Sequence, residues 1–218
     1  MTRLARVVAP DYPHHITQRG NRRQQTFFEE QDYLRYLTCL DESCREENVE
    51  IWAYCLMPNH VHLIAVPETS DGLSRAIGKA HRRYTLAVNF RMGWTGCLWQ
   101  GRYASFPMDE TYFLAATRYV ELNPVVAGLV HRPEEYYWSS ARHHLGLLND
   151  PIVNHSPLRE MVSDWRSYLM AVGECKMTQT LRQAGRVGRP LGSDNFVESL
   201  EFQLGRILKP QKPGRNKK

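Results

Sequence analysis

Residues 57–66 read Met-Pro-Asn-His-Val-His-Leu-Ile-Ala-Val. His60 and His62 open a β-branched and aliphatic run, and side chains two apart in a strand point the same way. Both imidazoles therefore share one face. Downstream, Tyr119-Val-Glu-Leu-Asn123-Pro124 sets a phenol and a carboxamide four residues apart, which is one face of a helix. Two imidazoles, one amide and one phenol suffice for metal-assisted attack of a tyrosine on a phosphodiester.

A phosphodiester is anionic and slow to attack, and a cation at a non-bridging oxygen offsets the charge that builds up. The residues leave the cation open, because imidazole suits zinc, copper or iron while magnesium prefers oxygen. Tyrosine is a weak nucleophile at neutral pH, with a phenol pKa of about 10. Its use is to store the cleaved bond as phosphotyrosine until a 3′-hydroxyl reverses the reaction. That favours strand transfer over digestion. Taken singly, a His-x-His pair or a tyrosine near a helix end is usually structural, and Tyr112 is a second candidate phenol. Histidines 14, 15, 81, 131, 143, 144 and 155 show no metal spacing and are expected on the surface.

The elements that must position these groups follow from periodicity. Tyr12 to Gly20 reads as a first strand and a turn, followed by the polar loop 21–25. Leu34, Leu37, Leu40 and Cys44 recur at helical spacing, giving a helix over 30–46. Val49 to Leu56 and His60 to Val66 form an antiparallel hairpin around Pro58-Asn59. A second helix spans 70–90, with Leu73, Ile77, Ala80, Tyr84 and Val88 as its apolar stripe. Gly101 to Met108 is a fourth strand, and Asp109 caps a third helix that Pro124 should stop. The order β-α-β-β-α-β is the split arrangement of an α+β, ferredoxin-like fold with helices on an antiparallel sheet. A turn and short helix at 133–140, a helix within 156–171 and an amphipathic piece from Phe196 to Leu208 follow.

The 218 residues suit one domain plus an extension, and 42% hydrophobic residues allow a real core. No apolar window is long enough for a membrane span. Five cysteines, an odd number without a Cys-x-x-Cys pair, favour reduced thiols in a cytoplasmic protein. The net charge of +5 is uneven: from Lys176 onward stand ten basic and three acidic residues, against 18 and 20 before it. Such asymmetry is the footprint of a segment that contacts nucleic acid phosphates, or of a solvated tail.

The His-hydrophobic-His motif behind Met57-Pro58-Asn59 resembles that of the HUH single-tyrosine transposases. Gly101-Arg-Tyr103, Arg118-Tyr-Val-Glu-Leu-Asn-Pro124 and Ala127-Gly128 resemble one branch, the REP-associated tyrosine transposases, which act on repetitive extragenic palindromes. Gly188-Arg-Pro-Leu-Gly-Ser193 and Pro213-Gly-Arg215 are similar to that branch too. The resemblance implies an HUH tyrosine transposase domain over 9–128, a helical extension over 129–185 and a basic, DNA-contacting tail over 186–218. It implies His60, His62 and Asn123 as metal ligands, Tyr119 as nucleophile and Mg²⁺ or Mn²⁺ as the ion. Insertion-sequence relatives carry a glutamine where this chain has Asn123, so the shorter amide alters the metal geometry. Such enzymes cut single-stranded DNA beside a folded hairpin, leaving a 5′-phosphotyrosine and a 3′-hydroxyl. The branch resembles a monomer that keeps its tyrosine helix in cis, whereas mobile-element relatives are dimers.

Candidate DNA contacts are Arg19, Asn21, Arg22 and Arg23 after the first strand, Arg75, Lys79, Arg82 and Arg83 on the second helix, and Arg102 and Tyr103. Arg186, Arg189 and Lys209 add phosphate contacts, with Trp52, Trp99 or Tyr103 as stacking platforms. Other readings compete. Histidine-triad enzymes need a third histidine where Ile64 stands. Replication initiators commonly pair their tyrosine with a second tyrosine or a lysine. A hairpin-binding protein that no longer cleaves has no use for the phenol.

Overall fold

The computed structural model describes residues 6–153, 155–171 and 175–209. Four strands, β1 (His14–Arg19), β2 (Val49–Met57), β3 (His60–Pro67) and β4 (Ala104–Pro107), form one sheet in the order β2-β3-β1-β4 with every pair antiparallel. Helices α1 (Glu30–Glu46), α2 (Gly72–Met92) and α3 (Glu110–Val126) complete the split β-α-β-β-α-β core. The α+β, ferredoxin-like expectation holds.

Strand alternation decides the layers. Ile16, Tyr54, Leu56, Val61, Leu63 and Ala65 face α1 and α2, where Leu73, Ile77, Ala80, Tyr84 and Val88 are buried as their spacing predicts. Of the expected α1 stripe, Leu40 and Cys44 are buried and Leu37 packs half-buried against the same core, but Leu34 is displaced by aromatic residues. Leu34 is 48% exposed, and Tyr33, Tyr36, Leu40 and Cys44 take the buried face. Aromatic rings win that face because Phe27 stacks on Tyr33 and meets Tyr36 edge-on. The opposite sheet face, with Ala53, Cys55, Ile64 and Phe106, packs against Phe113, Ala116 and Val120 of α3.

Asp109 caps α3 as expected, its carboxylate accepting from Tyr112 N. Pro124 does not end the helix, which runs two residues further. Proline removes one N–H bond but sits in the last turn, where Asn123 O accepts from Ala127 N and Pro124 O from Leu129 N. Its ring is buried, and that packing offsets the bias of the preceding residue away from the helix.

Beyond α3 come the short helices α4 (Ala141–His144), α5 (Leu158–Met161) and α6 (Trp165–Met170), so the stretch 156–171 is two helices and not one. Residues 138–140 run along the outer edge of β2, with Leu56 N donating to Trp138 O and Ser140 N to Tyr54 O. Helix α7 (Cys175–Val187) crosses β4 and α3, and Leu191 N then donates to Pro107 O at the β4 edge. Both open edges of the sheet are thereby covered. Helix α8 (Asp194–Leu204) buries Phe196 and Leu200 with Leu208 against Val7 and Ala9. The basic segment is thus folded as far as Lys209, while Pro213-Gly-Arg215 lies outside the described residues. No described helix is long and apolar enough to cross a membrane.

Candidate active site

The β3 alternation points His60 and His62 toward α3. His62 is buried, and its Nδ1 lies 3.0 Å from Nε2 of His15 on β1, the two rings stacked with centroids 5.3 Å apart. His60 Nδ1 lies 2.6 Å from Asn59 Oδ1. The other end of the Asn59 amide donates to Arg23 O at 3.2 Å, which fixes which way it faces. The turn is held from below as well, since Gly20 N donates to Asn59 O and Thr26 N to Pro58 O. Gly20 is required there: a Cβ would stand 2.3 Å from Gln24 O. With each Nδ1 engaged, Nε2 is the ring nitrogen that each imidazole has left for a ligand.

Tyr119 and Asn123 face these atoms from one side of α3. The Tyr119 ring stands edge-on to His62 and His15, with centroids 5.5 and 6.0 Å away. Asn123 Nδ2 lies 3.4 Å from His62 Nε2. The reverse of the helix is anchored by the extension. Glu121, fully buried, accepts from Ser140 Oγ at 2.7 Å, Trp165 Nε1 at 2.7 Å and His144 Nδ1 at 2.5 Å. Arg118 donates to the carbonyls of Leu169 and Ala171.

Burial pulls His15 down to about 4. Burial, followed by the charge of Arg19, does the same for His60. His62 lies well below the usual range, through burial first and then His15, His60, Arg19 and Arg182. All three are neutral at pH 7, the state a metal ligand requires. The cleft around them, about 600 Å³, is lined by Arg19, Arg102, Arg182 and Arg186 and by no described aspartate or glutamate. It is built for a polyanion.

Among the described residues no group of three or more His, Cys, Asp or Glu side chains is arranged to hold a metal. The donors present are two imidazole Nε2 atoms and a carboxamide. That set fits a divalent cation whose remaining positions are filled by phosphate oxygens and water, not one caged by protein alone.

The structure brings His60, His62, Tyr119, Asn123, Arg19, Arg102 and Arg186 into one cleft, and Tyr112 lies outside it. Arg22 and Arg23 are exposed in the loop beside Asn59, with φ of 52° and 62°, and Asn21 N donates to Leu98 O. Arg75, Lys79 and Arg83 are not brought there. They lie in the α1–α2 layer, paired with Glu47, with Glu46 and Glu47, and with Glu42. Arg82 is exposed on the same helix. Lys209 pairs with Glu198, and Arg189 donates to Leu208 O. The expected platforms are largely occupied: Trp99 is buried against His81, Tyr103 is buried beneath the Arg6 guanidinium, and Trp52 packs on Phe113. His14, His15, His81, His143 and His144 are buried, against the surface expectation, because each finds a partner inside.

Sequence reasoning missed His15 and Arg182. His15 shares the strand face of Thr17 and Arg19, but only the β1–β3 register brings it under His62. A family model described as IS200-like transposase matches residues 9–123, which span every element named above from β1 to Asn123. The chain belongs to the IS200-like transposase family. Membership makes it a DNA-processing enzyme of transposition and implies a divalent cation in general terms. The fold is also that of a solved REP-associated tyrosine transposase bound to a REP hairpin, at TM-score 0.59 and 19% identity over 70% of this chain and 96% of that one. A putative transposase from Deinococcus radiodurans R1 aligns at TM-score 0.39 and 21% identity, over 55% of this chain and 96% of that one. Among curated proteins none matches the sequence.

Proposed function

We propose that this chain is a metal-dependent tyrosine strand transferase that cuts single-stranded DNA beside a hairpin of the repetitive extragenic palindrome type. The observation that carries the reading is one cleft lined by Tyr119, Asn123, His60 and His62, ringed by four arginines and no described carboxylate. The hairpin-bound neighbour of the same fold supports the substrate.

His60, His62 and Asn123 would hold Mg²⁺ or Mn²⁺, which supplies charge at a non-bridging oxygen of the scissile phosphate. Tyr119 Oη attacks phosphorus as its proton is lost to water. The Oη–P bond forms, the P–O3′ bond breaks, and the leaving 3′-oxygen takes up a proton. The product is a 5′-phosphotyrosine and a free 3′-hydroxyl, and attack by another 3′-hydroxyl reverses the step. Arg19, Arg102 and Arg186 track the strand through the cleft, and Arg22 and Arg23 meet it where it leaves the hairpin. The anchors at Arg118 and Glu121 hold the nucleophile helix on its own sheet, consistent with a monomer acting in cis on cytoplasmic DNA.

The test is a hairpin oligonucleotide with a single-stranded flank, incubated with Mn²⁺ and run on a denaturing gel. A covalent protein–DNA band that disappears in Tyr119→Phe and His60→Ala is expected. An adduct formed by Tyr119→Phe removes Tyr119 as nucleophile. Tight binding without any wild-type adduct makes the protein a hairpin-binding module instead.

A further inference from the structure

Helix α7 closes the cleft from the C-terminal side. Leu181 and Ala184 are buried in the core shared with Phe106 and α3, which fixes the roll of the helix. Arg182 and Arg186, four residues apart, both line the cleft as a result. The Arg182 guanidinium stands 5.9 Å from the centroid of the Tyr119 ring, and the imidazoles of His62 and His15 meet that ring edge-on.

We propose that Arg182 is a catalytic residue that binds the scissile phosphate during attack by Tyr119 and then the phosphotyrosine formed from it. This rests on Tyr119 being the nucleophile. A phosphodiester has two non-bridging oxygens, and both gain charge as the Tyr119 Oη–P bond forms and the P–O3′ bond breaks. The histidine side of the cleft serves one of them. Arg182 reaches the same phosphorus from the other wall, with planar paired donors that suit phosphate and a charge that persists through the reaction. No described carboxylate lines the cleft to compete for it. An arginine beside the nucleophile stabilises most strongly the added charge that develops in the transition state, so its effect falls on rate more than on binding.

The experiment uses the full chain in single turnover, comparing wild type with Arg182→Ala and Arg182→Lys. Each meets a hairpin oligonucleotide carrying either a normal phosphate or a neutral methylphosphonate at the scissile position. Arg182 is exposed, so circular dichroism of Arg182→Ala should match wild type. On phosphate, Arg182→Ala should form adduct roughly 100-fold more slowly, with Arg182→Lys in between, while hairpin affinity changes less than about threefold. On methylphosphonate, Arg182→Ala and wild type should react within about threefold of each other. Equal loss on both substrates, or no loss on phosphate, overturns the assignment. A wild type that forms no adduct with either substrate overturns the nucleophile reading and this assignment with it.

Discussion

His15 Nε2 lies 3.0 Å from His62 Nδ1, and the Asn123 amide donates to His62 Nε2. These two contacts describe one tautomer. His62 carries its proton on Nδ1 and donates it in a hydrogen bond to His15, while its Nε2 lone pair accepts from Asn123 and is the atom a cation would take in exchange. The cost shows on His15, whose Nδ1 is buried without a partner. A histidine read as incidental in the sequence thus sets the chemistry of one that was not.

His15→Phe should therefore weaken cation binding about 10- to 100-fold, the usual effect of removing the partner that orients a ligating histidine. Titration calorimetry of Mn²⁺ into the DNA-bound Tyr119→Phe protein, with and without the second substitution, measures it. An unchanged affinity removes His15 from the site.

Glu121→Ala strands two buried donors, Trp165 Nε1 and His144 Nδ1, and leaves Ser140 Oγ only the Tyr54 carbonyl. The chain should lose on the order of 3 kcal/mol of stability, as buried charged partners do when one is removed. Urea denaturation reads this as a lower midpoint. A midpoint within error of wild type would mean that the extension does not lean on this carboxylate.

Acid should unfold the protein early. Burial holds His81 at about 3 and His14 at about 4, below their ordinary value of 6.5. In each case the unfolded chain takes up the proton first, so the stability present above pH 6.5 is lost as pH falls toward the folded value. Each group contributes a slope of about 1.4 kcal/mol per pH unit within that window. Urea midpoints at pH 7.5, 6 and 5 should fall steadily, and His81→Gln should make the decline shallower. An identical decline in the variant would exonerate His81.

The arginines should sort by layer. Arg102→Ala and Arg186→Ala should each weaken hairpin binding and flatten its dependence on salt, as lost phosphate contacts do. Lys79→Ala and Arg83→Ala, which break pairs with Glu46, Glu47 and Glu42, should leave that slope unchanged. Fluorescence anisotropy at several salt concentrations decides the matter.

What could be read from the chain was whatever a local period determines. Two residues apart on a strand put His60 with His62, and four apart on a helix put Tyr119 with Asn123. The strands and the α2 stripe followed from the same logic. What could not be read depends on distant partners. The charges on α2 look available until α1 supplies carboxylates more than thirty residues away to Lys79 and Arg83. His15 meets His62 only through strand register, and Arg182 reaches Tyr119 only through the packing of α7. Pro124 misled because burial outweighed a backbone preference.

Asn59 spends one end of its amide on the Arg23 carbonyl and the other on His60. The loop that carries Arg22 and Arg23 is thereby joined through one side chain to the orientation of the His60 ring. On the proposed reading, a strand that moves that loop also moves the imidazole that would hold the cation.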